Sequence, residues 1–594
     1  MSNPFELVTA SKLTAKQAIE LWCDDNRLER VRGGESCFIH GNRGTGKSML
    51  FRILQRDCQD LLFPDQRPNF LSVYFAVRDS DLMVEEFNLM QDQHLSNTLA
   101  ESHLTLLLVR QLLIDVLNYP KVIPNDDQRD FQILIAEKIN SAYDFSEDLA
   151  PNLECDDFVE AISFSIKILE KECNYIVNFV LRRLSSTEAP YRGPLFFFDG
   201  LLKPISDFLA DRGNSRIFVL VDDADDLPYP HTVVLNSWIA RRRRSIVFKV
   251  STMYNYKTYE TRSGSKIQQP HDFIQYNIAS RFLEYKSEDY VDLIRRICVK
   301  RLKQAGYKIE DHSKEKVDDF FPMDKIQERK LSELRESLTK TYEGKFSGRS
   351  VSDNVYRHLT SEYMKQLLKS RSTGSYLYSG FRTLAILSSG LVRDFIICAQ
   401  RMYDDAARQT NSDLVEVIPP EIQNRVVRDH ADTILAEIRD AKQKRLGTDS
   451  DWEQIDNMIR RLGATFKQKM LSDDSERRMF SFAFQTLPES DISRLLDFAV
   501  GEGYLAKGFI SEKEGFGRRH LYVMTRRIAP AFNLDVSTYS GYLSLTPSAI
   551  REMMKNGRTL KKICPDKRQM ELPLILLGEN GDWILESSDG PEEW

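Results

Sequence analysis

Residues 41–48 read Gly41-Asn42-Arg43-Gly44-Thr45-Gly46-Lys47-Ser48 and directly follow a short apolar run at residues 36–40. This order fills every fixed position of a phosphate-binding loop, in which glycines let successive backbone N–H groups curl around phosphate oxygens. Lys47 would reach the β- and γ-phosphates, and the Ser48 hydroxyl would ligate Mg²⁺. A helix predicted from Met49 onward would add its N-terminal dipole to the same anion site. We therefore expect residues 41–49 to bind the phosphates of a nucleotide, with Mg²⁺.

A second acidic motif ends another apolar run, Ile217-Phe218-Val219-Leu220-Val221-Asp222-Asp223. Five apolar residues predict a fully buried strand, whose carboxyl end would lie beside the glycine-rich loop at the ligand-binding edge of a parallel sheet. Asp222 is the expected carboxylate on the Mg²⁺ side, either directly or through water. Asp223 is then the candidate that orients or deprotonates the attacking water.

Three further apolar runs complete the predicted sheet. Residues 245–250 predict a strand that is followed by Ser251 and Thr252, where a polar side chain would sense the γ-phosphate. Runs at residues 71–77 and 273–278 predict the second and the last strand. The alternation of strands with helices indicates an α/β fold, in which a parallel sheet carries helices on both faces.

The overall composition is that of an ordinary globular protein, and 594 residues predict about three to five domains. The net charge of −6 gives no global sign of nucleic-acid binding, so such a site would have to be a local basic patch. The eight cysteines are scattered without zinc spacing, and we expect reduced thiols. We find no signal-peptide pattern and no bilayer-spanning run, so we expect a cytoplasmic protein without membrane contact.

The order of these motifs, followed by a helical segment, resembles that of the AAA+ ATPases. Among them it is most similar to the origin-recognition-like initiator ATPases and their bacterial relatives. Residues 3–5 and 21–22 are similar to the N-terminal segment that packs against adenine, which implies an adenine contact by Phe5. Residues 388–395 are similar to the lid motif whose arginine, here Arg393, touches the γ-phosphate. The resemblance implies an AAA+ core, a helical lid and a C-terminal winged-helix module.

The acidic strand departs from the initiator pattern. Initiator ATPases usually carry Asp-Glu there, whereas this chain has Asp222-Asp223, as many signalling ATPases of the STAND class do. The carboxylate of Asp223 is one methylene shorter than that of glutamate and reaches less far toward water. This difference predicts slow turnover and a protein that works as a nucleotide-gated switch.

The segment between the second strand and the acidic strand, about residues 79–213, is far longer than a crossover helix requires. It contains two helical patterns, so we expect a helical subdomain inserted into the core. One pattern runs from His103 to Asn118. The other has apolar residues at steps of three and four, namely Ile162, Ile166, Leu169, Cys173, Ile176, Val180 and Leu184. An apolar stripe at this spacing usually faces a core, so packing is favoured over partner docking.

Two places could supply an arginine finger, the arginine that reaches the nucleotide of a neighbouring subunit. Residues 241–244 are four consecutive arginines at the end of the helix before the polar-ended strand. Such a run is usually a solvated face, but a ring or filament of AAA+ subunits needs one arginine at the neighbour's γ-phosphate. Arg244 and, in the loop before the last strand, Arg262 are the candidates, and the sequence does not choose between them.

The C-terminal half predicts mainly helices. A charged stretch at residues 311–350 suits either a surface helical hairpin or a loop. Pro419-Pro420 marks a boundary, after which a long helix is predicted over residues 421–445. The expected parts are an ATPase core at 1–285, a helical lid at 286–415, a helical linker at 416–474, a winged-helix module at 475–540, and an extension with an acidic tail at 541–594.

The predicted winged helix consists of helices at residues 476–485 and 491–502 and strands at residues 505–511 and 519–526. In such modules the second helix usually enters the major groove, and the hairpin touches the DNA backbone or the minor groove. The second helix is acidic here, which argues against sequence-specific reading. The hairpin region is basic through Lys513, Arg518, Arg519, His520, Arg526 and Arg527. Lys513, Arg518 and Arg519 are the candidate nucleic-acid contacts, and a protein contact or a structural role fits as well.

These patterns predict an ATP-driven AAA+ switch that assembles with itself or with a partner protein, on nucleic acid. The resemblance implies a bacterial anti-phage defence or mobile-element system, with a partner encoded in the same operon. The alternative is a STAND-like signalling scaffold that holds nucleotide with little turnover, binds no DNA and recruits a separate effector.

Overall fold

The computed structural model divides the chain into two compact units. The first comprises Met1–Leu7, Asn42–Thr45 and Ala279–Trp594, and the second comprises Val8–Gly41 and Gly46–Ile278. Across the described ranges, no helix combines the length and the apolar character that crossing a bilayer requires. The described residues are 3–7, 9–64, 70–79, 84–119, 122–144, 146, 148–153, 155–183, 190–212, 216–253, 256–278, 287–309, 314–345, 349–369, 375–410, 414–440, 449–472, 479–484, 486–511, 518–536, 541–555, 575–577 and 583–585.

A five-stranded parallel sheet is the centre of the second unit. Its strands are β1 (Cys37–His40), β2 (Phe70–Ala76), β3 (Arg216–Asp222), β4 (Ile246–Thr252) and β5 (Ile274–Asn277). They lie in the order β2-β3-β4-β1-β5, so the strand before the glycine-rich loop is next to β4 and the acidic strand is between β2 and β4. The predicted α/β fold with a parallel sheet is confirmed.

The strand β4 extends further than its apolar run suggested. Ser251 and Thr252 still belong to the strand and lie opposite Ile39 and His40 of β1. Because both faces of a parallel sheet are covered, its strands are close to continuously buried, and all seven residues of β4 are buried. The two polar residues are therefore held in the sheet and do not belong to a loop.

Two hydrophobic cores lie on the two faces of this sheet. Successive residues of a strand point to opposite faces, so Phe38 belongs to one core, and Cys37 and Ile39 belong to the other. The helices of the second unit are α1 (Ala15–Leu21), α2 (Asp25–Val31), α3 (Lys47–Leu54), α4 (Arg56–Leu62), α5 (Gln93–Asn118), α6 (Gln128–Ser141), α7 (Phe158–Arg183), α8 (Lys203–Asp211) and α9 (Tyr229–Ala240). Helices α1 to α4 supply one core, and α5 to α9 supply the other.

The long insert is helical and packs as the apolar stripe predicted. In α7 the stripe residues Ile162, Leu169, Cys173, Ile176 and Val180 are buried and Ile166 is partly buried, whereas Leu184 lies outside the described residues. Helix α5 begins ten residues before the predicted start at His103, at Gln93, because the Asp92 carboxylate accepts the Leu95 N–H at 3.0 Å and caps it. The insert is therefore part of the main core of the second unit.

The first unit is mainly helical up to residue 471. The charged stretch at residues 311–350 takes the helical alternative, and two of its helices pack against each other as a hairpin over residues 325–369. Pro420 occupies the first position of the predicted long helix, where its missing N–H costs nothing. The last predicted residues of this helix, 441–445, lie outside the described part of the chain. The helices are α10 (Ser287–Gln304), α11 (Lys314–Phe320), α12 (Lys325–Glu343), α13 (Arg349–Lys369), α14 (Phe381–Leu387), α15 (Val392–Thr410), α16 (Pro420–Asp440) and α17 (Asp449–Leu471).

A four-stranded mixed sheet forms the C-terminal module of the first unit, which we define as residues 479–555. Its elements are β6 (Met479–Phe484), α18 (Ser490–Gly501), β7 (Leu505–Ser511), β8 (Arg518–Met524), α19 (Ala529–Phe532), β9 (Gly541–Leu545) and α20 (Pro547–Met554). The strand order is β7-β8-β6-β9. Strands β10 (Ile575–Leu577) and β11 (Trp583–Leu585) form a separate antiparallel pair, and the acidic tail after Leu585 lies outside the described residues.

The helix predicted over residues 476–485 is wrong, because residues 479–484 form β6. Phe480, Phe482 and Phe484 recur at a spacing of two, which is the period of a strand, and aromatic residues favour strands. The strand is stabilised on both sides, since β6 pairs with β8 and β9. The second predicted helix and the hairpin are present as α18, β7 and β8, with ends that differ by at most two residues.

Candidate nucleotide-binding site

The glycine-rich loop connects β1 to α3. Gly44 and Gly46 have φ angles of 89° and 97°, which residues with a side chain rarely adopt. The Gly41 N–H donates to the Thr252 carbonyl at 3.2 Å, so the loop begins against β4. The Lys47 ammonium donates to the Gly41 carbonyl at 2.6 Å and is 5% exposed. A buried cation and the N-terminus of a helix therefore lie together at the loop, which suits a phosphate group.

The remaining loop residues lie in the loop itself and in the first turn of α3. Within the loop the Thr45 hydroxyl donates to the Asn42 carbonyl at 2.8 Å, and Thr45 is buried. Ser48 and Met49 follow Lys47 in the first turn of α3 and are half-buried, as is Arg43. Ser48 therefore lies in the first turn of α3, directly after Lys47, and its role as a Mg²⁺ ligand stays a prediction.

Asp222 ends β3 and is fixed by both neighbouring strands. Its Oδ2 accepts the Tyr74 hydroxyl of β2 at 3.2 Å, and its Oδ1 accepts the Ser251 hydroxyl of β4. The same Oδ1 accepts the backbone N–H of Asp223 at 3.2 Å. Asp222 is 2% exposed, so three donors hold a buried carboxylate in one orientation. Tyr74 is a site residue that no sequence motif predicted, because its hydroxyl lies within the mainly apolar strand β2.

Asp223 occupies the turn directly after β3. Its backbone is left-handed, with φ 56° and ψ 45°, a conformation that is uncommon outside glycine and often found at functional sites. Burial and then the charge of Asp222 raise the pKa of Asp223 to about 6, while Lys47 and Arg78 act in the opposite direction. The Arg78 Nε lies 3.9 Å from the Asp223 carboxylate and also forms an ion pair with Asp226. Arg78, the second residue after β2, is a further site residue that no sequence motif predicted.

Ser251 and Thr252 connect the loop to the two carboxylates. The Ser251 Oγ donates to Asp222 and lies 3.2 Å from the Asp223 N–H, which donates to it. The Thr252 carbonyl accepts the Gly41 N–H, and within the described residues its buried hydroxyl has no hydrogen-bond partner. Their predicted role in sensing the γ-phosphate stays a prediction.

Arg262 is held inside its own unit. Its guanidinium forms an ion pair with Glu101 of α5 and donates to the Thr98 hydroxyl at 3.3 Å. Its backbone N–H donates to the Ser237 hydroxyl at 2.9 Å. Because Glu101 is buried, withdrawing Arg262 would leave an uncompensated charge. This cost makes Arg262 the weaker arginine-finger candidate.

Arg244 differs from the other arginines of its run. All four residues of 241–244 are exposed. Arg241 and Arg243 pair with Asp199, and Arg242 pairs with Asp272 at 2.8 Å. Among the described residues Arg244 makes no ion pair, so extending it toward another subunit would break none.

Arg393 is the second residue of α15 in the first unit. Its side chain is exposed, and its backbone N–H donates to the Gly44 carbonyl at 3.1 Å. Gly44 approaches so closely that a Cβ built there would lie 2.7 Å from the Cβ of Arg393. The start of α15 and the tip of the glycine-rich loop are therefore in direct contact. Gly44 and Arg393 belong to the same unit.

Phe5 is fully buried in the first unit. Its ring centroid lies 6.2 Å and 5.8 Å from those of Phe320 and Phe321, and Arg301 donates to the Pro4 carbonyl at 3.2 Å. The Phe5 ring is therefore part of an aromatic cluster and has no exposed face in this arrangement. Its predicted adenine contact stays a prediction.

The basic hairpin contains fewer of the predicted residues than expected. Arg519 lies in β8 and is half-buried, whereas Lys513 and the side chain of Arg518 lie outside the described part. The assignment of Arg526 and Arg527 to the hairpin is wrong, because β8 ends at Met524 and residues 526–528 form a short helical turn. Arg526 is 3% exposed and Arg527 pairs with Asp394 at 2.8 Å, so neither arginine is available at the surface of the hairpin.

The acidic character of α18 is largely neutralised by neighbouring elements. Arg551 of α20 pairs with Glu489 and Asp491 at the start of α18, and Lys507 of β7 pairs with Asp497 at 2.8 Å. The one arginine of the helix, Arg494, pairs with Asp451 of α17 at 2.7 Å. The charges of this helix are therefore largely paired within the module, and the expectation that it does not read DNA sequence stays a prediction.

Three features together define an AAA+ P-loop fold. They are the strand order of the sheet, the glycine-rich loop that follows β1, and the carboxylates at the end of β3. Members of this class are ATPases. The chain belongs to the ORC-CDC6-like family, whose model matches residues 3–545. The predicted origin-recognition-like AAA+ relationship is confirmed. Among curated proteins, none matches the sequence significantly.

Three solved structures are distantly similar over most of their length. A Drosophila ORC bound to DNA has 11% identity and a TM-score of 0.26, over 90% of this chain and 94% of that one. ORC1 of Aeropyrum pernix in complex with DNA has 8% identity and a TM-score of 0.28, over 89% and 95%. Cdc6p of Pyrobaculum aerophilum has 11% identity and a TM-score of 0.23, over 93% and 98%.

Proposed function

We propose that the protein is an ATP-binding and ATP-hydrolysing AAA+ switch that assembles with itself or with a partner, on nucleic acid. The observation that carries this proposal is the network that joins Asp222, Asp223 and Ser251 at the end of two neighbouring strands. The hydrogen bond from Gly41 to Thr252 ties the glycine-rich loop to the same strand β4. Burying a charged carboxylate is costly, so the buried Asp222 beside this loop favours a site in which the carboxylate has a chemical role.

The oxygen donors of the site fit magnesium. Mg²⁺ prefers carboxylate, hydroxyl and phosphate oxygens, and Asp222 and Ser48 would hold it. When bound, the ion neutralises charge on the transferring phosphoryl group. Asp223 would orient the attacking water or accept its proton, and its raised pKa makes it a better base than an ordinary aspartate. Lys47 would hold the β- and γ-phosphates.

The remaining roles extend this proposal beyond one chain. Arg393 would contact the γ-phosphate from α15, and Arg244 would reach the nucleotide of a neighbouring subunit. The β7-β8 hairpin would contact the nucleic-acid backbone through Arg519, together with Lys513 and Arg518. An anti-phage or mobile-element setting with an operon partner is part of the proposal by resemblance alone.

Light scattering of the full chain tests the assembly. With ATP and duplex DNA we expect a molar mass of two or more subunits, because the nucleotide site would lie between neighbours. With ADP we expect a smaller species. The STAND-like scaffold would be supported instead if the mass stays that of a monomer under every condition and nucleotide is retained through purification. The short carboxylate of Asp223 favours this alternative.

Charge reversal on the hairpin tests the nucleic-acid contact. Arg519→Glu should weaken DNA binding severalfold and reduce the slope of log affinity against log salt by about one, because one phosphate contact is lost. Fluorescence anisotropy with labelled duplex at several salt concentrations measures both quantities. Lys330→Glu, the same charge change on the exposed face of α12, is the control. Equal affinities and slopes for the two variants would rule out phosphate contact by Arg519.

A further inference from the structure

Arg527 joins three parts of the first unit through one guanidinium. Its Nη1 pairs with the Asp394 carboxylate of α15 at 2.8 Å, and its Nη2 donates to the Gly503 carbonyl after α18 at 2.8 Å. Its Nε donates to the Thr525 hydroxyl at 3.0 Å. The planar guanidinium donates in fixed directions, so these three contacts together leave it a single orientation.

This ion pair is shielded from solvent. The side chains of Arg527 and Asp394 are 12% and 14% exposed. A cavity of about 20 Å³ lies beside them, lined mostly by apolar side chains of α14, α15 and α16. In such surroundings the attraction between charges is weakly screened, and removing one partner leaves an uncompensated charge. The contact between Arg527 and α15 is therefore costly to break.

Asp394 directly follows Arg393, so Arg527 acts on the start of α15. The Arg393 N–H donates to the Gly44 carbonyl at 3.1 Å on one side. On the other side Arg526 donates its N–H to the Ser389 hydroxyl at 2.6 Å, which fixes the turn before the helix. Two successive residues of the C-terminal module thus hold both ends of the segment 389–394 that carries Arg393.

The same module also approaches the glycine-rich loop directly. A Cβ built at Gly503 would lie 3.3 Å from the Asn42 Nδ2 and 3.5 Å from the Arg527 Nη2. The carbonyl that accepts Arg527 therefore belongs to a turn that abuts the loop residue Asn42. Arg527, Gly503 and Asn42 form one contact region, and Arg393 meets the same loop at Gly44.

We propose that Arg527 is a positioning residue, which holds Arg393 against the glycine-rich loop. The preference of the protein for ATP over ADP then depends on the C-terminal module. This inference rests on the proposed function, in which Arg393 contacts the γ-phosphate. In this proposal Arg527 does not contact the nucleotide itself and acts through Asp394 at the start of α15 and through the Gly503 turn beside Asn42. A change in the module, such as nucleic-acid binding on its hairpin, would then alter ATP affinity through this residue.

The test is a double-mutant cycle on the full chain, read as the ratio of ATP to ADP affinity with fluorescent nucleotide analogues. Arg527→Ala should lower ATP affinity about tenfold, within the usual range of coupling between sites, and leave ADP affinity unchanged. Arg393→Ala should lower the ratio similarly, and the double variant should show no further loss. Arg527→Lys should restore part of the ratio, because the ion pair to Asp394 is kept.

The control variant is Arg425→Ala. Arg425 of α16 pairs with Asp405 of α15 at 2.9 Å, and removing this ion pair should leave the ratio of ATP to ADP affinity unchanged. If Arg527→Ala does not fold, Asp394→Asn tests the same contact. Equal losses for ATP and ADP, or additive losses in the double variant, would overturn the positioning role and leave the proposed function intact. A normal ratio in Arg393→Ala would instead refute the γ-phosphate contact, and this inference with it.

Discussion

Replacing Lys47 by alanine is expected to reduce ATP affinity by roughly a hundredfold or more. The ammonium is buried at the start of α3 and would make charge-assisted contacts to two phosphates, each of which contributes about 1.5–3 kcal/mol. A loss of about 1.4 kcal/mol is a tenfold loss in affinity, so two such contacts account for the expected effect. Titration calorimetry with ATP and Mg²⁺ measures it.

A matched buried lysine provides the control for this substitution. Lys249 of β4 is 1% exposed and donates to the carbonyls of Gly33 and Glu35 at 2.7 Å and 2.6 Å. These carbonyls and the Phe218 ring, which its ammonium also approaches, lie outside the proposed site, so Lys249→Ala should cost stability and leave ATP affinity unchanged wherever the variant is folded. Unaltered ATP affinity in Lys47→Ala would contradict the assignment of the loop.

Asp223→Asn should slow ATP turnover by about a hundredfold or more while ATP affinity is retained. Asparagine keeps the size of the side chain and tolerates the left-handed backbone at this position, but it cannot accept a proton. General-base catalysis typically contributes about 10²–10⁴ in rate, which sets the size of the effect. Steady-state phosphate release, with ATP affinity measured separately, distinguishes catalysis from binding.

Two comparison variants sharpen this expectation. Asp199→Asn removes an exposed carboxylate that pairs with Arg241 and should turn ATP over at the wild-type rate. Asp223→Glu restores the longer carboxylate of the initiator pattern and should increase the rate, if reach toward water is what limits it. Wild-type turnover in Asp223→Asn would assign the chemistry to another residue.

The core of the site follows from local sequence patterns. The glycine-rich loop has fixed spacing, and the apolar runs that end in Asp222 and Ser251 are strands whose carboxyl ends must meet in a parallel sheet. Tyr74 and Arg78 could not be predicted in this way. Their contacts depend on the pairing of β2 with β3, which places Ala76 opposite Asp222 and is set by long-range packing. A local sequence pattern does not predict the register between β2 and β3.

The errors in the C-terminal module have a related cause. Residues 479–484 contain phenylalanine at every second position, which favours a strand, but the strands that pair with β6 lie about 40 and 60 residues away along the chain. Arg526 and Arg527 follow the basic residues of the hairpin closely in sequence, after residues 521–525. Only the fold shows that the strand ends before them and that Arg527 turns toward Asp394. Runs of like charge do not reveal which members are paired.

The central claim is that the loop and the two aspartates form a hydrolysing site. The most direct measurement is the number of phosphate molecules released per protein molecule over several hours, with ATP and Mg²⁺ in excess, for the wild type and Asp223→Asn. We predict many equivalents for the wild type and less than one for the variant. At most one equivalent from the wild type, with nucleotide still bound, would contradict hydrolysis and support a protein that only holds its nucleotide.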